Sequence, residues 1–343
     1  MTKTQYPPVD DAAIDKAVSI LSEGGLVAIP TETVYGLAAD ADNKDAVLAT
    51  FAVKNRPTNH PLIVHVAGPE ALDAWAVNIP SEARLLVKTF WPGPLTLVLK
   101  KSARCGNFVT GDQDSVALRC PSHPWTRELL KRFSGPNFKG LTAPSCNTFG
   151  QISPTCARHV LEDLGVKPTG KLDMILDGGV CEVGVESTMI NLSGRRPEIL
   201  RYGAVTREML EEVLGCPVPD AGSDAPRASG RLKSHYAPKT KLEIVPGEKL
   251  KARMHELSGM RLAVMASPQV LTTLTGKPFF SLISPATLAE YAHGLYENLH
   301  ELDAVGVIFL PGGHDGQVLA DVHGVVIFAP AVLPVLLLHA LGL

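Results

Sequence analysis

Between Val218 and Ser234 the chain loses its apolar periodicity. The stretch V-P-D-A-G-S-D-A-P-R-A-S-G-R-L-K-S is rich in Pro, Gly, Ser and Asp and offers no face to bury, which is the composition of a linker. This break constrains the fold more than any other feature. It divides 343 residues, more than the roughly 250–300 that one core usually holds, into two stretches that must each bury a core of their own. The reading is a first domain over 1–217, a linker over 218–240 and a smaller second domain over 241–343.

Before the break, helices and strands mix. Ala13 to Leu21 places Ile14, Ala17, Val18 and Leu21 at helical spacing and ends at Gly24-Gly25. Leu26–Ile29 is a short apolar run stopped by Pro30, a buried strand. Helices are predicted over 45–53, 80–90, 125–133 and 206–214, the last opened by a Thr cap, and strands over 61–66, 95–99, 116–118, 174–176 and 188–192. This pattern argues α/β with a large sheet. After the break, strands at 242–245, 261–265 and 305–310 alternate with helices at 249–257 and 285–302, the signature of βαβ units and a small parallel sheet.

Lys plus Arg number 32 against 35 Asp plus Glu, a net charge of −3. A field of one sign is absent, which argues against a polybasic nucleic-acid binder. The six Cys show no C-x-x-C spacing, so neither a zinc site nor a disulfide scaffold is expected. Met1–Asp10 lacks the apolar core of a signal peptide, and scattered thiols suit a cytoplasmic location. From Val325 to Leu343 the one polar side chain is His339. Pro330 and Pro334 would break a spanning helix there, so the run reads as a buried or poorly ordered tail rather than a membrane contact.

Four stretches place polar side chains against turn residues at strand ends. Pro30–Leu37, P-T-E-T-V-Y-G-L, would present Thr31, Glu32, Thr33 and Tyr35 at the rim of a sheet; it fits an ordinary strand-to-helix connection equally. Lys54–His65, K-N-R-P-T-N-H-P-L-I-V-H, sets Lys54 and Arg56 beside a Pro-fixed turn. Those cations suit phosphate or carboxylate, or simply solvent. Thr142–Thr155 carries five hydroxyl residues, an Asn and a Gly without a charge, a composition that makes anion-binding nests of backbone N–H groups. Within it Cys146 has no base paired with it and reads as a buried thiol. The last, Asp177–Thr188 with Leu200–Gly203, combines Gly-rich turns with Arg201; plain surface turns would look the same. His123, His159 and His235 stand isolated, so no protein-only metal site is expected, and Mg²⁺ would arrive with phosphates. These residues point to a site for a phosphate-bearing ligand and a small polar or acidic partner.

Taken in order, the stretches resemble the YrdC-like family, the threonylcarbamoyl-AMP synthases. The matching pieces are P-T-E-T-V-Y-G-L at 30, K-N-R-P at 54, H-P-L-I-V-H at 60, W-P-G-P-L-T at 91, V-A-L-R-C-P at 116, A-P-S-C-N at 143, S-P-T at 153, I-L-D-G-G at 175, G-V-E-S-T at 184 and L-R-Y-G at 200. S-H-Y-A-P at 234 resembles the signature of the long form, which adds a C-terminal domain. The resemblance implies a twisted mixed sheet flanked by helices, followed by a smaller Rossmann-like α/β domain. It implies that ATP, L-threonine and bicarbonate give L-threonylcarbamoyl-adenylate and pyrophosphate, with a partner complex passing the group to tRNA beside the anticodon. Carried over by position, Thr33, His65, Arg119, Thr142, Ala143 and Ser187 would surround threonine. Lys54, Arg56, His60, Ser115, Ser145, Ser153, Arg201 and Tyr236 would face ATP and its Mg²⁺, with Lys54 and Arg56 the catalytic cations. The chain departs from the family pattern at His60, Cys146, Phe149 and Ala228–Arg231, and Gly316–Leu343 lacks a basic last helix. The rivals are an RNA-binding module without activity, opposed by net charge and 6% aromatics, and a metalloenzyme-maturation domain, whose zinc motifs are missing.

Overall fold

The computed structural model describes residues 8–228, 240–274, 278, 280–283, 287–304 and 325–329. Nine strands form the large sheet: β1 (Val27–Ile29), β2 (Gly36–Asp40), β3 (Ile63–His65), β4 (Leu95–Lys100), β5 (Ser115–Arg119), β6 (Leu141–Thr142), β7 (Met174–Ile175), β8 (Thr188–Asn191) and β9 (Glu198–Arg201). Their order is β7-β1-β2-β6-β3-β5-β4-β8-β9, with parallel and antiparallel neighbours mixed. Most of these strands are buried at every position, which is why they read as continuous apolar runs rather than as alternation.

Helices cover both faces. Asp11–Ser22 is opened by Asp10, whose carboxylate accepts from the N–H groups of Ala12 and Ala13. It packs with Pro124–Ser134 through Ile14, Leu21, Leu129 and Phe133. On another face Trp75, Leu86, Val87 and Leu210 pack on Leu97, Leu118 and Ile190. Trp75 is fully buried and its indole N–H donates to the Phe138 carbonyl at 2.9 Å. Lys44–Lys54 is capped by the Asn43 side chain and ends at Asn55 in the left-handed region, φ 53°, so the chain turns sharply just after Lys54.

The second sheet contains β10 (Lys241–Ile244), β11 (Leu262–Ala266), β12 (Phe280–Ile283) and β13 (Val325–Ala329), in the order β10-β13-β11-β12 and parallel throughout. The predicted parallel sheet is therefore present. The expected strand at 305–310 lies outside the described residues, as does the tail after 329. Val325–Ala329, read from sequence as the start of a tail, is instead a strand within the sheet. Among the described residues no helix is long and apolar enough to cross a membrane.

The structure decides two readings that the sequence leaves open and corrects a third. After Pro30 the chain leads into β2, antiparallel to β1, and not into a helix, because Gly36–Asp40 is buried throughout and extends the sheet. Leu200 and Arg201 belong to β9 and are buried, not part of a surface turn. The first half of the linker is held rather than free: Ala221 donates to the Ile199 carbonyl at 2.9 Å, Ile199 to that of Pro219 at 2.8 Å, and Arg227 N–H to Gln113 at 2.6 Å. The outer edge of β9 supplies unpaired backbone groups that this segment satisfies.

Candidate active site

The ends of β3, β5 and β9, the β1–β2 loop and the segment after β6 converge on one open cavity. Register brings this about. His65 pairs with Arg119 across the parallel β3–β5 ladder and Val64 with Thr142 across β3–β6, so side chains distant in sequence emerge at one place. Thr33, Arg56, His65, Arg119, Ala143, Ser145 and Arg201 all line the cavity. A neighbouring hollow shares Leu62 and Ile63 with it and is lined by Ser115, Val98, Ala117, Met189 and Arg227.

The remaining predicted residues stand one contact behind. Lys54 is fully buried at its helix end, its ammonium donating to the Ser145 and Asn147 carbonyls. Burial, and then the Arg56 charge, lower its pKa to about 7. Ser187 is buried, shares a hydrogen bond with Thr96 at 2.8 Å and accepts from Arg201 at 3.0 Å. The Ser153 hydroxyl donates to Glu186 at 2.8 Å. Thr142, buried beside Ala143, donates to the Ala39 carbonyl at 3.4 Å. His60 sits at the rim, edge-on to Phe149 at 5.4 Å, and the Arg56 guanidinium lies 5.8 Å from that ring. The two departures His60 and Phe149 thus touch each other. Tyr236 lies outside the described residues.

Arg119 decides what the cavity can hold. Its guanidinium is 4% exposed and lies 2.8 Å from Glu32, itself 2% exposed. The pair meets the ion-pair distance, yet Arg119 Nε and Nη2 and Glu32 Oε1 make no aligned hydrogen bond, and neither does His65 Nδ1. Buried donors are almost always satisfied. A buried guanidinium at a cavity wall, ion-paired through Nη2 and with its Nε making no hydrogen bond, suits a carboxylate. Burial, and then the Arg119 charge, push His65 down to about 3, so its ring is neutral and can hydrogen-bond a ligand without competing for the anion.

Sequence reasoning missed two carboxylates in the site's machinery. Glu32, which the sequence presents at the rim without a role, anchors Arg119 and accepts from the Ser122 N–H at 3.0 Å. Among the described residues Glu186 is the only carboxylate lining the cavity, and it stands 3.8 Å from Arg201. The signal lay in G-V-E-S-T, where an acid sits beside a proposed ligand residue. Tyr35 is not at a rim: it is buried and donates to the Gly179 carbonyl at 2.7 Å, holding the D-G-G turn. Cys146 is buried, and that burial raises its thiol to about 12, which suits a packing role. His159 is not isolated. It stacks on His300 at 3.7 Å and meets Cys156 and Glu297. Its Nδ1 accepts from the Thr155 N–H at 3.2 Å, and its Nε2 lies 3.3 Å from both Glu297 and the Arg158 guanidinium.

Residues 19–203 match the family model described as "Telomere recombination" and 205–321 the model described as "Threonylcarbamoyl-AMP synthase, C-terminal domain". The threonylcarbamoyl-AMP synthase of Pyrococcus abyssi is 38% identical over 312 residues, 87% of this chain and 88% of the relative. That of Bacillus subtilis is 36% identical over 310 residues, 88% and 87% of the two chains. The crystal structure of P. abyssi Sua5 complexed with L-threonine superposes with a TM-score of 0.81 at 34% identity, covering 98% of this chain and 94% of that one.

Proposed function

The chain belongs to the threonylcarbamoyl-AMP synthase family, and we propose that its cavity joins L-threonine, bicarbonate and ATP into threonylcarbamoyl-AMP and pyrophosphate. The observation that carries this is the division of cations within one cavity. Arg119, whose Nε makes no hydrogen bond, stands beside His65 and Thr33, a place for one carboxylate with an amine and a hydroxyl. Arg56 and Arg201 line the same cavity and Lys54 lies behind Ser145, a place for phosphates.

In this reading the threonine carboxylate is held by Arg119, with Thr142, Ala143 and Ser187 completing the wall. The threonine amine attacks the carbon of CO₂ and releases a proton, or that of bicarbonate with loss of water, to give the carbamate. The resulting carbamate oxygen attacks the α-phosphorus of ATP, and pyrophosphate leaves toward Lys54 and Arg56. Because the thiol of Cys146 is held protonated, no covalent enzyme intermediate is invoked. Rate comes from positioning and from neutralising charge that develops on phosphate. Ser115, Ser145, Ser153, His60 and Arg201 face the nucleotide, and the apolar surface of Val98, Ala117 and Met189 suits the adenine ring. Tyr236 is assigned to ATP on sequence resemblance, as a lid carried by the linker. Mg²⁺ carried by ATP would lower the charge on the phosphates; Glu186 offers the oxygen ligand such a hard cation prefers. The product would pass to a transfer complex acting on tRNA, in the cytoplasm.

The test is pyrophosphate release from ATP and bicarbonate with threonine, then with serine or glycine in its place. Release that requires threonine supports the reading. Release indifferent to the amino acid, or none, overturns it.

A further inference from the structure

The Leu288–Ala304 helix of the second sheet's domain lies against the cavity's supporting loops, and the bonds it makes there have no need of a ligand. His293, Glu297 and His300 share one face of it, four and three residues apart. His293 Nδ1 lies 2.8 Å from the Glu182 carbonyl. Gly184, φ +73°, passes so close to the His293 carbonyl that a side chain there would collide with it. Glu297 holds Arg158 at 2.8 Å and His159 at 3.3 Å. His300 Nε2 donates to the Ser153 carbonyl at 3.2 Å while its ring stacks on His159. Below this polar row, Tyr291, Leu295, Tyr296 and Leu299 form one buried cluster with Val34, Ile152 and Val185. Thus one helix face clasps two segments, 152–159, which ends in the first turn of the Ala157–Asp163 helix, and 182–187. The first carries Ser153, the second Glu186 and Ser187, and Ser153 bonds Glu186 directly.

We propose that this helix is a positioning element for the nucleotide end of the cavity, with His300 the residue through which the second domain sets Ser153 and, through Ser153, Glu186. The second domain therefore contributes to ATP affinity without touching ATP. Burial keeps His300 below its ordinary pKa, and burial followed by the His300 ring does the same for His159. The stack is uncharged at neutral pH, and a fixed N–H remains for the carbonyl.

The proposal rests on the ATP-dependent reading above and is tested in the full chain with His300→Ala and His300→Gln. The alanine variant should raise KM for ATP about fivefold or more, roughly 1 kcal/mol at 1.4 kcal/mol per decade. Its kcat and its KM for threonine should change less than about twofold, since His300 bonds the Ser153 carbonyl while Ser187 keeps its own bonds to Thr96 and Arg201. Gln retains an N–H donor and should recover most of the ATP affinity. An unchanged KM for ATP in the alanine variant, or a Gln variant as impaired as Ala, overturns the proposal. A merely structural role would lower the melting temperature and leave the KM values together. If the alanine variant folds poorly, Glu297→Gln on the same face carries the same expectation for ATP, and an unchanged KM there overturns it as well. If the wild-type chain did not turn over ATP, the functional reading would fall. The clasp would then be read from amide exchange at 152–156, which His300→Ala should accelerate, and unchanged exchange would overturn it.

Discussion

Replacing Glu32 with Gln tests the cavity's anion site through the protein's own stability. Glu32 and Arg119 are 2% and 4% exposed and 2.8 Å apart. Removing one partner of a buried pair typically costs about 3–5 kcal/mol, because the other charge is left uncompensated. Gln keeps an oxygen for the Ser122 N–H that Glu32 now accepts at 3.0 Å, so the lower end, about 3 kcal/mol, is the expectation. For a domain of this size that corresponds to a fall in melting temperature of roughly 6–12 °C. Threonine should reverse part of the loss. Its carboxylate becomes the counter-ion that Arg119 lost, so at a fixed concentration threonine should raise the melting temperature of Glu32→Gln by at least as much as that of the wild type. Calorimetry with and without threonine reads both numbers. A melting temperature within about 2 °C of wild type would mean the pair contributes little. A threonine shift that disappears would mean that Glu32, rather than Arg119, holds the ligand, and the assignment of the carboxylate would be wrong.

Other outcomes follow from the same geometry. Arg119→Lys should weaken threonine about tenfold or more, about 1.4 kcal/mol per decade, and leave ATP nearly unchanged, because an ammonium cannot hold a carboxylate by two parallel bonds; titration calorimetry with each ligand separates this from misfolding, which would weaken both. Arg56→Ala should abolish pyrophosphate release with little change in melting temperature, the lost charged bond costing about 2–5 kcal/mol in a desolvated site; near-wild-type release would remove Arg56 from the machinery. Lys54 should make ATP binding dependent on pH. With its pKa lowered to about 7, the free enzyme carries the ammonium below that pH and must take up a proton above it. Affinity should be flat below about pH 7 and fall by up to about tenfold per unit above it, with proton uptake seen as a buffer-dependent binding heat. Lys54→Arg, always charged, should remove that dependence, and identical pH profiles for the two proteins would refute the assignment.

Much of the fold was legible because the strands are short, buried on both faces and bounded by Gly or Pro, and because a cap such as Thr206 marks a helix start. β6 was not: two residues, Leu141 and Thr142, carry no period to detect. β2 was hidden by its composition, since Gly36–Asp40 holds Gly, two Ala and Asp, residues of weak strand preference that only the sheet on either side makes extended. The site was legible as motifs, and the cavity gathers seven of the predicted residues into its wall. The supporting acids were not. Glu32 and Glu186 act on Arg119, Ser153 and Arg201 across 87, 33 and 15 positions of chain, and nothing local signals such pairings. The cluster of His159, Glu297 and His300 escaped for the same reason: it forms only when two domains meet.

The order β10-β13-β11-β12 sets a schedule for synthesis. β13 is the last of these strands to leave the ribosome, yet it is the one that joins β10 to β11. Among the described strands, β10 has no neighbour until residues 325–329 emerge, and β11 has only β12. The nine strands of the first sheet all precede residue 202 and can be complete well before that. Domains generally fold as units during synthesis, the earlier first, so the cavity can take shape while the Leu288–Ala304 helix waits for a sheet to dock it. A nascent chain stalled between 305 and 324 should therefore hold a formed first domain with β10 still lacking its β13 neighbour, a species poised to pair with the wrong strand.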